Sequence, residues 1–198
     1  MKLNIETDIL KTLLPEAEVT DDKVAFNNYT QPFGMYAKSS FNYQGVDVLS
    51  IGHALMYGKA LLVGDLDMVD KLEENKLEPK DYIRLGNKIK VNGLWEKYRK
   101  RVMISILEDR FSNADSLYLL KATGKRKLVL KAPYDSVWGL GNGNGSNLMG
   151  EALTVVRSIN ENDWPLFTSR ATIDSSCINT TTTNTTTVFY GDLEEEDF

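Results

Sequence analysis

The chain has 198 residues, 42% of them apolar and 26% charged, which is the composition of a globular protein with a core of its own. One cysteine, Cys177, and one histidine, His53, exclude an intramolecular disulfide and a Cys/His metal centre, so neither a metal nor a cofactor is expected. The net charge of −5 resides in the last seven residues, DLEEEDF, whose five acids leave the rest balanced at 23 acids and 23 bases.

No stretch approaches the roughly 18 apolar residues of a membrane span. The first 18 residues, MKLNIETDILKTLLPEAE, contain acids and no small-residue cleavage site. A cytoplasmic protein without a membrane partner is the expectation.

In chain order, Ile9–Leu14 is a short amphipathic piece ended by Pro15. FNYQGVDVL (41–49) alternates around Gln44-Gly45, which predicts a hairpin. Ser50 is a natural N-cap for a helix carrying the apolar stripe Ile51, Leu55 and Leu62, and Gly64-Asp65 ends it. His53 falls in its first turn, where packing is the plainer reading and ligand contact the sharper one. Leu66, Val69 and Leu72 mark a second helix. Pro79 opens a third, on which Lys80, Arg84 and Lys88 are spaced four apart. The longest helix is predicted over 94–111, with Trp95, Tyr98, Val102, Ile106 and Leu107 inward. Asn113 caps another that ends at Gly124, and KLVLK (127–131) is a short strand. A Gly/Asn-rich loop follows, and Asn147 is expected to cap a last helix to about Ile159. Beyond 160 the sequence turns Thr-rich, and NTTTTNTTT (179–187) fits either a hairpin or a tail.

Bases cluster. Residues 76–101 hold nine Lys/Arg against three acids, and residues 121–131 hold five against none. Such surfaces attract phosphate-bearing ligands, although a solvated helix face has the same composition. In the loop, Gly139, Gly141, Gly143 and Gly145 alternate with other residues before a helix start. Glycine lets backbone approach a ligand, and helix N-termini present N–H groups to anions. The spacing is neither a Rossmann nor a Walker motif.

Four ordered blocks, HALMYGKALLVGD, RLGNKIKVNGLWEKYRKRV, ATGKRKLVLKAPYDSVWGLG and NLMGEALTVVR, together resemble the NADAR/YbiA-like family. The resemblance implies an α+β fold, helix-rich with a small antiparallel sheet. It implies one domain over 1–160 with an N-terminal extension, followed by a Thr-rich, acidic extension over 161–198. Members are N-glycosidases acting on ADP-ribose adducts of guanine bases or on a ribosylamino-pyrimidine phosphate. Against the family pattern, a catalytic Glu is replaced by Gly52, the Glu of a strand motif by Leu130, and the Arg of a helix motif by Asn87. The early F-S-N-F has become Phe33-Gly34-Met35-Tyr36. Trp95 and the block Tyr134-Asp135…Trp138-Gly139 match as they stand. Cleaving an N-glycosidic bond builds positive charge on ribose and needs a positioned water, both tasks for a carboxylate. Only Asp135 remains for that role. Gly52 reads as a void at a helix N-terminus.

The expected ligand residues are therefore Gly52, His53, Met56, Arg84, Lys88, Trp95, Tyr134, Asp135, Trp138, Gly139 and Asn147, with Asp135 catalytic in an active enzyme. The expected partner is a small nucleotide, ADP-ribose-like or cyclic, held with little or no turnover. Nucleic acid is expected only as an ADP-ribosylated substrate, and the sequence leaves the oligomeric state open. Such a binder would suit a viral sponge for a nucleotide immune signal in the host cytoplasm. The rival readings are an active N-glycosidase and an interaction protein on a decayed enzyme fold.

Overall fold

A computed structural model describes residues 6–74 and 77–159. The hairpin or tail expected beyond residue 160 lies outside the described residues. Within them are seven helices and five short strands: α1 (Thr7–Leu13), β1 (Glu18–Val19), β2 (Lys23–Phe26), β3 (Phe41–Tyr43), β4 (Val46–Val48), α2 (Ile51–Val63), α3 (Leu66–Leu72), α4 (Pro79–Gly86), α5 (Gly93–Arg110), α6 (Ala114–Ala122), β5 (Lys127–Leu130) and α7 (Leu148–Ser158).

The predicted boundaries rest on identifiable chemistry. The Ser50 side chain accepts from the His53 N–H, and Gly64 ends α2 at φ +75°. Pro79 is the first residue of α4. Asn113 accepts from the Ser116 N–H. Gln44 and Gly45 both have positive φ, 54° and 85°, the type I′ turn that matches strand twist in a two-residue hairpin.

The helix-rich α+β class and the small antiparallel sheet, β3 with β4, are as expected, and a second, three-stranded sheet is mixed. Its order is β1-β2-β5, with β1 antiparallel to β2 and β2 parallel to β5. Strand β2 gave no sequence signal because it is buried on both faces: Val24, Ala25 and Phe26 are all inside, so nothing alternates.

Helix α2 is the centre of the molecule. Nine of its thirteen residues are buried, which is why its apolar stripe is broad. It packs on α3, α4 and α5, while α7 joins α5 to β5. The second basic cluster is largely consumed in holding this body together. Arg126 donates from Nε to the Thr20 carbonyl (2.9 Å) and from Nη2 to Thr7 Oγ1 (2.9 Å). Lys121 donates to the Ile159 carbonyl and Lys131 to Glu18.

Candidate functional site

One face of α2 carries Gly52, Met56 and Lys59, four and then three residues apart, so they stack along the helix. The Tyr36 ring lies against Gly52. A methyl group built there would meet Tyr36 ring carbons at 2.6 and 2.7 Å and the Met35 carbonyl at 3.0 Å. Met56 packs on Gly86 at the end of α4, where no side chain larger than hydrogen fits beside its sulfur. Lys59 Nζ donates to the Gly86 carbonyl (2.8 Å) and stands 5.8 Å from the centre of the Trp95 ring. Trp95 meets Trp138 edge to face at 6.4 Å. The Trp138 N–H donates to Asp135 Oδ1 (2.8 Å), as does that of Val137 (3.0 Å). The contacts thus form a circuit from Tyr36 through Gly52, Met56 and Lys59 of α2 and Trp95 to Trp138 and the loop that holds Asp135.

Its electrostatics follow from burial. Desolvation, with help from Tyr82, Asp135 and Tyr29, pushes the Tyr36 hydroxyl up to about 12, so it is a neutral phenol at physiological pH. Burial lowers the pKa of Lys59, which has no carboxylate partner among the described residues. Its charge faces an aromatic ring and a carbonyl instead.

Several expected ligand residues prove to be structural. His53 is fully buried, stacked on Tyr82 at 5.2 Å. Its Nδ1 accepts from the Leu49 N–H (3.2 Å) and its Nε2 donates to the Leu72 carbonyl (2.6 Å). Both ring nitrogens are spent inside the fold. Asn147 does not cap α7 through its side chain. At φ +52° it turns inward, donating to the Leu128 carbonyl (2.9 Å) and accepting from the Leu130 N–H (3.0 Å). Gly52 opens no void, because Tyr36 fills the space. Nor does it offer an N–H to an anion: that group donates to the Met35 carbonyl at 2.6 Å.

The glycine-rich loop is likewise folded on itself. The N–H groups of Gly143 and Gly145 donate to the Leu140 carbonyl, that of Asn147 to Gly139, and those of Leu148 and Met149 to Val137 and Trp138. Gly139 is buried with its carbonyl engaged. A methyl on Gly145 would sit 2.3 Å from that same oxygen. These glycines serve close packing of the loop, and no anion-binding row of N–H groups is left at the start of α7.

Of the remaining expected residues, Met56, Trp95, Asp135 and Trp138 come together in the circuit. Trp95 and Trp138 are only 8% and 9% exposed and pack on each other, so a base can lie against their edge but not between them. Tyr134 is fully exposed at the loop tip. Arg84 and Lys88 are exposed on α4 and just beyond it, Arg84 paired loosely with Asp81 (3.5 Å). Leu130 is buried in the core. Two circuit residues, Tyr36 and Lys59, were absent from the sequence expectations. The 52–56–59 spacing carries a signal for Lys59. Tyr36, which arrives from a loop, was marked only as the last residue of the altered F-S-N-F motif and not as a ligand residue. A shallow depression lined by Ser40, Phe41, Asn42, Asp47, Val48 and Leu49 on the hairpin contains none of the expected residues.

Known proteins resemble this chain in sequence and fold. The family model described as the NADAR domain matches residues 17–159. Protein irg-1 of Caenorhabditis elegans is 36% identical over 121 residues, covering 52% of this chain and 56% of that protein. N-glycosidase R617 of Acanthamoeba polyphaga mimivirus is 28% identical over 124 residues, covering 60% of this chain and 66% of that protein. The matches thus span little more than half of the worm protein and just under two thirds of the viral one. The NMR structure of the Escherichia coli protein YbiA superposes with a TM-score of 0.59 at 26% identity, over 71% of this chain and 86% of that one. With the family match running from the residue before β1 to the last described residue after α7, the chain belongs to the NADAR domain family and is related to N-glycosidases.

Proposed function

We propose that this domain holds a nucleotide bearing ribose and phosphate, of the ADP-ribose or cyclic-nucleotide kind, and turns it over little or not at all. The observation that carries the reading is the contact of Tyr36 with Gly52. The resemblance places a catalytic carboxylate at that position, and here the space belongs to an aromatic ring. The Leu130 position is core. The groups suited to binding are an aromatic ridge at Trp95 and Trp138, the cation Lys59 with no carboxylate partner among the described residues, the neutral phenol Tyr36, and the exposed Arg84 and Lys88. Phosphate contact falls to these side chains, since the N–H groups near Gly52 and in the loop are engaged. A binder of this type withdraws its nucleotide from solution, which is the action of a sponge.

A thermal-shift screen of ADP-ribose, cyclic nucleotides and ribosylamino-pyrimidine phosphate tests binding, because a ligand of the folded state raises its stability. Parallel hydrolysis assays on ADP-ribosylated guanosine and the pyrimidine riboside test turnover. The expected result is a shift without cleavage. Rapid cleavage would favour the second reading, an active N-glycosidase. That reading draws on the similarity to N-glycosidase R617 and on Asp135, whose Oδ2 has no hydrogen-bond partner among the described residues.

A further inference from the structure

Helix α5 ends in a charge that the fold buries and does not pair. Arg110 is its last residue and is only 8% exposed. It is buried along with Met103, Ile106 and Leu107 of the same helix. Its Cζ stands 5.3 Å from the centre of the Phe111 ring, which leads through Phe33 (6.0 Å) to Phe26 (5.5 Å). Nε is sealed from solvent and has no hydrogen-bond partner. No carboxylate lies within ion-pair distance among the described residues. The adjacent acids do not serve. Burial lifts the Asp109 carboxyl without an opposing pull from Arg110, and the cation felt by Glu108 is Arg101. Carbonyls at a helix C-terminus are the usual neutralisers of a cation there. Here they have other donors: the Leu107 carbonyl accepts the Phe111 N–H, that of Asp109 the Ser112 N–H and hydroxyl, and that of Arg110 itself the Ser116 hydroxyl.

We propose that Arg110 binds a small oxyanion, of the phosphate or carboxylate kind, where α5 turns into α6. A buried cation without a counter-charge is costly, and an aromatic ring offsets only part of that cost. An anion removes the rest. The positive charge is spread over the whole guanidinium, so an anion need not reach Nε to neutralise it. The two Nη groups are not sealed as Nε is, and they are the atoms that a solute meets. Their planar fork offers two parallel N–H groups, which match two oxygens of one phosphate or one carboxylate. The small exposure of the residue sets the size of the ligand: an anionic group fits, and the body of a nucleotide does not. Arg110 is none of the expected nucleotide-binding residues, and the proposal stands independently of the proposed function.

Urea denaturation of the full chain at neutral pH, in chloride, phosphate or acetate at equal ionic strength, tests the proposal. Above the dissociation constant, each tenfold increase in the bound anion should multiply the folding equilibrium constant about tenfold. The anion that does so at the lower concentration, phosphate or acetate, identifies the source. In Arg110→Met the dependence should vanish, and in chloride that protein should be at least as stable as the parent, because the buried charge is gone. Arg110→Lys keeps the charge without the fork and should bind the anion at least about threefold more weakly. Line broadening of inorganic phosphate in the phosphorus NMR spectrum gives a second readout on the folded proteins. It should fall from the parent to Arg110→Lys, a comparison that holds even where Arg110→Met does not fold. A parent indifferent to both anions, or an equal response in the parent and the arginine variants, would overturn the proposal. So would a response kept by the arginine variants and lost in Lys59→Gln/Lys88→Gln, since that anion would sit among the expected nucleotide-binding residues.

Discussion

Gly52 shows how one substitution changes the meaning of its neighbours. Restoring a carboxylate by Gly52→Glu alone drives Cβ into the Tyr36 ring, and overpacking of this kind costs about 1–3 kcal/mol. The Gly52→Glu/Tyr36→Ser protein should recover most of that loss in urea denaturation. It alone should gain measurable cleavage, at least tenfold over the parent, because only then does the new carboxylate have room at position 52. Equal destabilisation in the single and double variants would show that the ring is not the obstacle. Leu130→Glu is no route to activity, since it buries a charge in the core. His53 gives a second test at this scale. Burial lowers its pKa against a smaller opposing effect of its bond to the Leu72 carbonyl. The unfolded chain therefore takes up a proton first on acidification, and the contribution of His53 to stability, full above about pH 6.5, is lost as the pH falls below it. His53→Gln should flatten that part of the pH–stability curve.

At the scale of elements, the C-terminal half of α5 behaves in the opposite sense. Burial, then repulsion from Asp109, lifts Glu108 to about 7 despite the attraction of Arg101, and burial lifts Asp109 to about 6. Both carboxyls are better tolerated protonated in the folded state. Their ionisation costs stability above pH 7, and the cost disappears as the pH falls toward the unfolded values near 4. Glu108→Gln should raise the melting temperature at pH 8, by an amount equivalent to about 1–2 kcal/mol after allowance for partial solvation. The gain should vanish near pH 4.5; a gain independent of pH would point to packing instead. Elements whose ends carry their own chemistry were legible in the sequence: the Gln44-Gly45 hairpin, the caps Ser50 and Asn113, Pro79 and Gly64. Those defined by distant partners were not. The β2 strand has four residues, all without alternation, and the cap expected of Asn147 is a clamp on β5 that only tertiary structure reveals. The nearness of Trp95, Trp138 and Asp135 was legible from their blocks. The glycines of the loop were misread because glycine serves close self-packing and ligand approach alike.

At the scale of the whole molecule, charge and aromatic surface are two separable contributions to affinity. Exposed Lys88 is screened within a Debye length of about 8 Å at physiological ionic strength. Lys88→Gln should weaken nucleotide binding at low salt and have little effect at high salt. Trp95→Phe, chosen because Trp95→Ala would open a cavity in a residue only 8% exposed, should weaken it at every salt concentration. Calorimetric titration at two ionic strengths distinguishes them; identical salt slopes for both variants would contradict the assignment. The mixed sheet has a further consequence, for the order in which the molecule is built. Lys23 through Phe26 pair with Lys127 through Leu130, about a hundred residues later. Closing a loop of that length costs about 4 kcal/mol of chain entropy before any contact repays it. At a synthesis rate of about 5–20 residues per second, β2 waits roughly 5–20 s for its parallel partner to be made. Until then Val24 and Phe26 have no β5 to cover them. A ribosome-bound chain stopped before Lys127 should leave the Val24–Phe26 amides open to exchange, and protection should arrive only once the loop after β5 has emerged.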